Sequence, residues 1–380
     1  MRIAFFSDFS PAQVNGISDV IRTLMQKLES QGHATCLFAP SEGSGTRNGE
    51  PCRHVSLPSI GVPWAPTFRF VLPCSIKQEL DRFRPDLLHT HTFGTVGAKA
   101  VRSARRFRVP LLGTQHTLPA EYAHYFHLDY HWTRERLKTF AAKYYQKCDS
   151  VTAPSHIVAD ELRRYGVTKN IDVVSNPVET DHFRSLPEKK HLKQKFGIIK
   201  FAVLCFGRLA REKNIGELLE AFALLRKTVD AELVIIGSGP EERTLRACVQ
   251  TLGIESDTRF LGMLRGKELI EAINATDVYA ITSRSENQSM TTMQAIACGL
   301  PVIGVNHGGL PEQIRNGENG FIVEGGDTRA FAARLTELFA DPAKREAFGR
   351  NGRAFAERCA PYRVTERMEK IYEAMLRKEA

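Results

Sequence analysis

Short apolar runs alternate with longer amphipathic stretches along almost the whole chain. The first run, RIAFFSD, precedes a stretch whose apolar residues recur with helical spacing before a glycine: Ile17, Val20, Ile21, Leu24 and Leu28. Apolar runs of strand length followed by amphipathic stretches of helix length are typical of parallel strands joined by helices. The pattern therefore predicts an α/β protein.

This alternation occurs in two series, the second of which starts near Phe201 with FAVLCFGRL. The segment between them, DHFRSLPEKKHLKQKFGIIK, is polar and basic, and 380 residues are too many for one ordinary core. We predict two doubly wound, Rossmann-like parallel-sheet domains at residues 1–180 and 201–360, with a linker at 181–200. An amphipathic helix at 361–380 is expected to pack back on the first domain.

Composition narrows the class of protein. With 42% hydrophobic and 25% charged residues the chain is of the globular class, and its apolar runs are far shorter than the ~20 residues that cross a membrane. The N-terminus reads as a strand rather than a signal peptide. The eight cysteines are scattered, which favours reduced thiols in a cytoplasmic protein.

The net charge of +9 is concentrated in the first part of the chain. Residues 1–180 hold 22 Lys and Arg against 16 Asp and Glu. A basic surface of this kind is either merely solvated or meets nucleic acid, an anionic membrane or phosphorylated ligands. The alternating α/β pattern and the lack of a recognised binding motif count against nucleic acid.

Candidate binding residues follow the strands, because ligands of doubly wound sheets bind at the carboxyl ends of strands. Gly16 opens a helix after the first strand, where backbone can approach a ligand. Arg208 follows FAVLCFG, and with Lys213 it provides two cations suited to a diphosphate. Gly237 lies in GSGPEE, which is not a complete dinucleotide fingerprint because Glu242 replaces the third glycine.

The stretch SENQSMTTMQAIACGLPVIG holds the most specific arrangement. A helix is predicted to begin near Ser289–Thr291, and its free backbone N–H groups would face an anion. Glu286 precedes this helix, and Gln294 lies about one turn inside it, at ~1.5 Å per residue. A carboxylate for hydroxyls, amides for phosphate and a polar side chain for ribose together indicate a sugar nucleotide.

In this order and spacing, the motifs resemble the retaining glycosyltransferases of family four, whose GT-B architecture has two Rossmann-like domains facing a cleft. The resemblance covers nearly the whole chain and rests on these pieces: the Gly16 loop, DLLHTH, TQHT, CDSVTAPS, SNPVETDHF, FGRLAREKN, GSGPEE, RFLGML, the Glu286–Gln294 pair, GLPVI, GGLPE and NGENGFIV.

The resemblance implies a role for each candidate residue. Arg208 and Lys213 would neutralise the donor diphosphate, and Glu286 would hold hydroxyls of the donor sugar. Gln294 would bind the ribose, and the backbone around Met263 would contact the base. Gly16 would approach the phosphate, and His116 would lie near the anomeric and 6-hydroxyl region of the sugar. Backbone contacts to the sugar and phosphates would come from Gln288, Ser289, Met290 and Thr291. No metal and no cofactor beyond the nucleotide-sugar donor is required.

Departures from the family pattern refine the expectation. Gln294 stands where the family usually has glutamate, and an amide can still bond ribose hydroxyls. The spacing of Glu286, Gln288 and Thr291 is similar to that of transferases acting on diacylglycerol, which implies a UDP-hexose donor, a lipid acceptor and a peripheral position on the inner face of the cell membrane. The alternatives are a GDP-mannose- or UDP-sugar-dependent transferase with a soluble or polysaccharide acceptor, a sugar-nucleotide epimerase, or a scaffold without catalysis.

Two further segments of the first domain bear on the acceptor. KAVRSARRFR at residues 99–108 is strongly basic, and residues 124–147 mix aromatic with basic side chains: Phe126, Tyr130, Trp132 and Phe140 are candidates for membrane contact. They could instead pack in the core.

Several histidines are also candidates for function. Three histidines have a spacing that would allow them to bind a metal from one helix face, namely His124, His127 and His131. No acidic or cysteine residue clearly completes this set of ligands. His89 and His91 are expected to point to opposite faces of their strand.

Overall fold

The predicted alternation of strands and helices is present, and the fold is of the predicted α/β class with two parallel sheets. The computed structural model describes residues 1–11, 16–41, 53–62, 65–116 and 131–377. The chain divides into two units, which we call unit 1 and unit 2. Unit 1 is Met1–Pro177 together with Pro361–Ala380, and unit 2 is Val178–Ala360.

Unit 1 contains the following strands: β1 (Arg2–Phe6), β2 (Ala34–Pro40), β3 (Arg53–Leu57), β4 (Ser59–Val62), β5 (Ala65–Val71), β6 (Leu87–Thr90), β7 (Leu111–Thr114), β8 (Ser150–Ala153) and β9 (Ile171–Val173). Its first helices are α1 (Gly16–Ser30), α2 (Lys77–Phe83), α3 (Thr95–Phe107), α4 (His131–Tyr145) and α5 (His156–Arg164). Seven strands form a parallel sheet in the order β3-β2-β1-β6-β7-β8-β9, and β4 pairs with β5 as an antiparallel hairpin.

Unit 2 contains six strands: β10 (Phe201–Phe206), β11 (Ala231–Ile236), β12 (Thr258–Gly262), β13 (Val278–Ile281), β14 (Val302–Val305) and β15 (Gly320–Val323). Its helices are α6 (Lys189–Lys195), α7 (Ile215–Arg226), α8 (Glu242–Thr251), α9 (Gly266–Asn274), α10 (Met290–Ala297), α11 (Leu310–Gln313), α12 (Thr328–Ala340) and α13 (Pro342–Glu357). The sheet is parallel, in the order β12-β11-β10-β13-β14-β15. A last helix, α14 (Pro361–Arg377), returns to unit 1.

Both faces of the unit 1 sheet are covered, which explains why its strands are apolar at consecutive positions. Along β1, Ala4 and Phe6 pack into one core, whereas Ile3 and Phe5 pack into the other. Successive side chains of a strand point to opposite faces, so a strand covered on both sides needs an unbroken apolar run.

The C-terminal helix α14 covers one of these faces. Its residues Val364, Met368, Tyr372 and Met375 recur with helical spacing and are buried in the core that contains Ile3 and residues of α1. An amphipathic stripe of this width needs a partner surface. The final helix is therefore part of unit 1, although unit 2 separates it in sequence from the rest of that unit.

The segment at 181–200, which the sequence predicts to be a linker, lies within unit 2. Lys189 Nζ and Lys193 Nζ lie 2.9 and 2.6 Å from the carboxylate oxygens of Asp277, whose side chain is largely buried beside β13. Leu192 is buried in the unit 2 core. The basic composition that indicates a solvated linker serves here to satisfy a buried carboxylate, which would be unfavourable without such partners.

Candidate active site

The strand order of unit 2 changes direction at β10. This strand pairs with β11 on one side and β13 on the other, and the strands that follow each of them lead away in opposite directions. In doubly wound sheets the carboxyl edge at this position is where ligands bind. A ligand-binding site is therefore expected at the loops after β10 and β13.

These two loops meet in an ion pair. Lys213 Nζ donates to Glu286 Oε1 at 2.6 Å, and Glu286 is only 8% exposed. A buried carboxylate needs a cation or hydrogen-bond donors, so Lys213 stabilises Glu286 in place. The loop backbones are joined as well, since Arg284 N donates to Glu212 O at 2.9 Å. The fold thus holds the pair in place.

The loop after β14 approaches the same carboxylate residue through a glycine. Gly309 N donates to Glu286 O at 2.6 Å. A Cβ atom at position 309 would lie 2.1 Å from the backbone oxygen of Asn287, so any other residue would push the two loops apart. The second glycine of HGGLPE is therefore needed for close approach of backbone, rather than for flexibility.

Side chains build the N-terminus of α10. Ser289 caps the helix, with its Oγ accepting from Thr292 N at 3.2 Å. Gln313 holds Ser289 from both sides, because its Oε1 accepts from Ser289 N at 2.8 Å and its Nε2 donates to Ser289 O at 3.0 Å. Thr291 Oγ1 lies 2.8 Å from the buried hydroxyl of Tyr279. The N-terminus of α10, which is the positive end of the helix dipole, is thus fixed beside Glu286.

The loop after β11 packs closely on the loop after β10. Gly237 has φ +136°, and a Cβ atom there would lie 1.9 Å from the backbone oxygen of Gly207. Only glycine fits this backbone conformation and this spacing. Packing alone therefore explains why a glycine follows β11, whatever else this position does.

The unit 2 residues singled out from the sequence lie at one edge of one sheet. They are distributed as follows: Arg208 after β10, Lys213 at the end of a short 3₁₀ helix, Gly237 after β11, Met263 after β12, Glu286, Gln288 and Ser289 between β13 and α10, and Met290, Thr291 and Gln294 within α10. Arg208 and Met263 are exposed, whereas Ser289 is buried.

The other two candidates belong to unit 1. Gly16 begins α1, the helix that follows β1, and His116 follows β7. Both therefore lie after strands of the unit 1 sheet.

Two residues that support the site were missed by the sequence analysis, namely Tyr279 and Gln313. Tyr279 lies within an apolar strand run, and Gln313 lies at the end of α11. Each contacts the start of α10 only because of how the strands and helices pack. No local spacing in the sequence indicates either contact.

Unit 1 holds a cluster of buried histidines, His89, His91 and His116, which we call the histidine cluster. The expectation that His89 and His91 point to opposite faces is wrong, because residues two apart in a strand share a face. Their ring centroids are 4.0 Å apart. His116 reaches the same place from the end of β7, where its Nε2 lies 2.8 Å from His91 Nδ1.

Burial keeps the histidine cluster neutral. Burial lowers the pKa of His116 to about 4, although a hydrogen bond with Asn176 acts in the opposite direction. Burial also lowers the pKa of His89 and of His91 well below the usual histidine value, and repulsion from neighbouring histidines adds to this effect. Each ring therefore carries a single N–H near neutral pH.

Side chains of metal-ligating type do not form a metal-binding cluster among the described residues. Within them, no group of three or more His, Cys, Asp or Glu side chains is placed to hold a metal ion. The side chains of His124, His127 and His131, the candidate set from the sequence, lie outside the part of the chain that the structure describes.

Unit 1 also exposes aromatic and basic side chains on α4. Trp132 and Phe140 are 56% and 55% exposed, and the guanidinium of Arg136 lies 5.1 Å from the Trp132 ring centroid. Phe126 and Tyr130 lie outside the described residues. On α3 and directly after it, the exposed cations are Arg102, Arg105, Arg106 and Arg108. No helix within the described ranges combines the length and apolar character needed to cross a bilayer.

Comparison with known proteins identifies the family. Residues 14–182 match the model of Glycosyltransferase Family 4, and residues 188–355 match that of Glycosyl transferases group 1. The alpha-monoglucosyldiacylglycerol synthase of Streptococcus pneumoniae is 31% identical over 312 residues, which are 80% of this chain and 70% of that protein. A GDP-mannose-dependent alpha-mannosyltransferase of Corynebacterium glutamicum is 27% identical over 90% of this chain and 82% of its own length.

The fold is also that of a solved structure. Sucrose-phosphate synthase from Thermosynechococcus elongatus superposes with a TM-score of 0.83 at 20% identity, covering 100% of both chains. Two family models together cover most of the chain, and both describe glycosyltransferases. The relative from Streptococcus pneumoniae points to the same family. The chain therefore belongs to glycosyltransferase family four and is a glycosyltransferase with the two α/β domains of the GT-B fold.

Proposed function

We propose that this enzyme transfers a hexose, with glucose as the expected sugar, from a UDP-sugar to a hydroxyl of a membrane lipid such as diacylglycerol, with retention of anomeric configuration. The observation that carries the donor half is the Lys213–Glu286 pair beside the N-terminus of α10. A cation and a helix N-terminus suit phosphate, and a carboxylate suits sugar hydroxyls. A sugar joined to a diphosphate needs these groups side by side.

The diphosphate is assigned to Arg208, Lys213 and the backbone at 288–291. Within this segment Ser289 N–H already donates to Gln313 Oε1 at 2.8 Å, so the N–H groups proposed for phosphate are those of Gln288, Met290 and Thr291. Arg208 is exposed at the end of β10, and Lys213 lies on the next turn of the same loop. An arginine binds two oxygens through its planar fork, whereas lysine acts as a compact charge. The capped start of α10 adds backbone N–H groups, and the N-terminus of a helix favours bound phosphate.

The sugar and the nucleoside are assigned to neighbouring residues, as the family resemblance implies. Glu286 accepts hydrogen bonds from sugar hydroxyls, Gln294 binds the ribose, and the backbone around Met263 reads the base. The resemblance further implies that His116 lies near the anomeric and 6-hydroxyl region of the sugar and that Gly16 approaches the phosphate. Because the base is read by backbone, no side chain in this set selects uracil over guanine.

The reaction is a single displacement at the anomeric carbon. The acceptor oxygen forms a bond to that carbon while the bond from the carbon to the β-phosphate oxygen breaks. The electron pair leaves with the diphosphate, and the acceptor's proton passes to one of its oxygens. Attack on the face that the leaving group occupies retains the configuration. Arg208, Lys213 and the N-terminus of α10 then stabilise the charge that develops on the diphosphate.

The lipid acceptor is supported by the relatives and by the surface of unit 1. The relative from Streptococcus pneumoniae is named for a glucosylated diacylglycerol, and it matches 80% of this chain. Trp132 and Phe140 are exposed on α4 together with several cations. Aromatic rings at a membrane interface and cations at anionic headgroups, each worth ~1 kcal/mol, would bring a peripheral enzyme to its acceptor on the inner face of the membrane.

A second candidate is transfer of mannose from GDP-mannose to a soluble or polysaccharide acceptor. The relative from Corynebacterium glutamicum favours it, since it matches 90% of this chain and is named for a GDP-mannose donor. A sugar-nucleotide epimerase, the remaining enzyme alternative, would isomerise the donor without any acceptor.

A matrix of donors and acceptors tests the proposal. UDP-glucose, UDP-galactose and GDP-mannose are each incubated with diacylglycerol vesicles, with a soluble oligosaccharide, or with no acceptor, and products are read by mass spectrometry. We expect a hexosyl-diacylglycerol from a UDP-sugar, with an α-linkage by NMR. Transfer from GDP-mannose alone, transfer only to the soluble acceptor, or isomerised donor would overturn it. The Glu286→Ala protein controls for contaminating transferases.

A further inference from the structure

The three rings of the histidine cluster differ in how their nitrogens are satisfied. His89 is bonded at both, with Nδ1 2.8 Å from the Tyr372 hydroxyl and Nε2 2.6 Å from Thr114 Oγ1. It therefore ties α14 to the unit 1 sheet, which is a structural role. His91 is bonded only at Nδ1, to His116. Its Nε2 is buried and has no hydrogen-bond partner among the described residues.

The unpartnered nitrogen of His91 indicates where its proton lies. If His116 Nε2–H donated to His91 Nδ1, the only N–H of a neutral His91 would be the buried, unpartnered Nε2–H. An unsatisfied buried N–H is rarer in proteins than an unsatisfied acceptor. The favoured arrangement is therefore the reverse, in which His91 Nδ1–H donates to His116 Nε2. His116 then carries its own proton on Nδ1.

The orientation of the rings agrees with such a bond. His91 and His116 are inclined by 16°, with centroids 5.1 Å apart, so each nitrogen lies near the plane of the other ring. Phe5 lies 5.6 Å from His91 at 19° and limits rotation of that ring. His91 is 2% exposed, so it acts on a substrate only through a neighbour.

We propose that His91 is a positioning residue whose Nδ1–H fixes the orientation and the tautomer of His116. The inference deepens the proposed function, because it rests on His116 acting at the donor sugar. Reacting groups held in the right orientation avoid a large part of the barrier, and small misplacements are costly in rate. Without the His91 bond, the orientation and tautomer of His116 would depend on its remaining contacts, among them the hydrogen bond with Asn176.

Two substitutions separate this role from packing. His91→Asn places an amide nitrogen near the position of Nδ1, so it keeps the donor toward His116. His91→Gln fills more of the ring's volume but places its polar end near Nε2, so it loses that donor. A packing role ranks Gln above Asn, because the smaller residue leaves the larger cavity. A positioning role ranks Asn above Gln in turnover.

We expect His91→Gln to lower kcat at least tenfold with the KM for donor nearly unchanged, and His91→Asn to stay within about threefold of the unsubstituted protein. The control is His191→Asn on the exposed surface of α6, which should leave both constants unchanged. Thermal unfolding verifies that each variant is folded. Equal kcat in the two His91 variants, or a faster Gln variant, overturns the proposal.

Imidazole ¹⁵N NMR decides the point without any activity. The spectrum of the full chain should show His116 protonated on Nδ1. The His116 signal is assigned by its loss from the spectrum of His116→Gln. His91→Gln should change this signal. A His116 proton on Nε2, or a signal that His91→Gln leaves unchanged, refutes the proposal. If the protein transfers no hexose from any donor, the proposed function fails while the NMR result still decides the role of His91.

Discussion

Lys213 contacts the Glu286 carboxylate, and under the proposed function it also contacts the donor diphosphate. Its Nζ lies 2.6 Å from Glu286 Oε1, where it offsets a charge that would otherwise be buried alone. An ammonium has three N–H donors, so one group can contact carboxylate and phosphate at once. Loss of Lys213 would remove the ion pair with Glu286 and, under the proposed function, a contact to the diphosphate in the transition state.

We predict that Lys213→Ala lowers kcat by roughly a hundredfold, the usual cost of removing one group that stabilises transition-state charge. Arg211→Ala is the matched control, because Arg211 is an exposed cation on the same 3₁₀ helix. It should retain near-normal turnover. Turnover with the preferred donor and melting temperature are measured for both. Equal turnover in the two variants would contradict the assignment of Lys213.

At the scale of elements, α4 has two contrasting sides. Tyr144 and Tyr145 are buried in the unit 1 core, whereas Trp132 and Phe140 are more than half exposed. Exposed aromatic rings beside cations suit the interface of an anionic membrane better than bulk water. The aromatic side chains at the end of α4 thus pack in the core. Those on its exposed side stay candidates for membrane contact.

We predict that the double variant Trp132→Ala, Phe140→Ala binds anionic vesicles at least tenfold more weakly, since each buried aromatic ring contributes about 2 kcal/mol. Flotation with anionic and neutral vesicles measures the partition. Ile199→Ala is the control, because Ile199 is an 81% exposed apolar residue of unit 2. Binding that is unchanged in the double variant, or equal on neutral vesicles, would remove α4 from the membrane contact.

At the scale of the whole molecule, the buried histidines are unevenly distributed between the units. Within the described residues, those that are buried are His89, His91 and His116, all in unit 1. Their pKa values are lowered in the folded state, that of His116 to about 4. The unfolded chain therefore binds protons first as pH falls. The stability these groups contribute is complete above the ordinary histidine pKa of 6.5 and is lost as pH falls toward 4.

We predict that unit 1 loses stability between about pH 7 and pH 5.5, by roughly 1 kcal/mol from His116 alone. Both tryptophans of the chain, Trp64 and Trp132, belong to the sequence of unit 1, so their fluorescence reports its unfolding. Thermal unfolding by fluorescence should shift to lower temperature over this pH range. His116→Gln should reduce that shift. A midpoint independent of pH would show that the cluster does not control acid stability.

Particular residues show how far the sequence could predict the site. Glu286, Ser289 and Gln294 lie close together in the chain, so a strand end and a helix start were enough to place them. Lys213 and Arg208 were predicted because ligands gather where parallel strands end. The contact of Gln313 with Ser289 joins residues from different loops, and nothing in the local pattern indicates it.

The sequence by itself determined the alternation of strands and helices, the family and the edge of the sheet that carries the candidate donor residues. These properties depend on periodicity and spacing within short segments, which side-chain polarity controls directly. Only the tertiary structure decided that Lys213 contacts Glu286, that α6 belongs to unit 2 through Asp277, and that three histidines share one core. Such contacts depend on which strands become neighbours, and strand order is a property of the whole packed sheet rather than of any one segment.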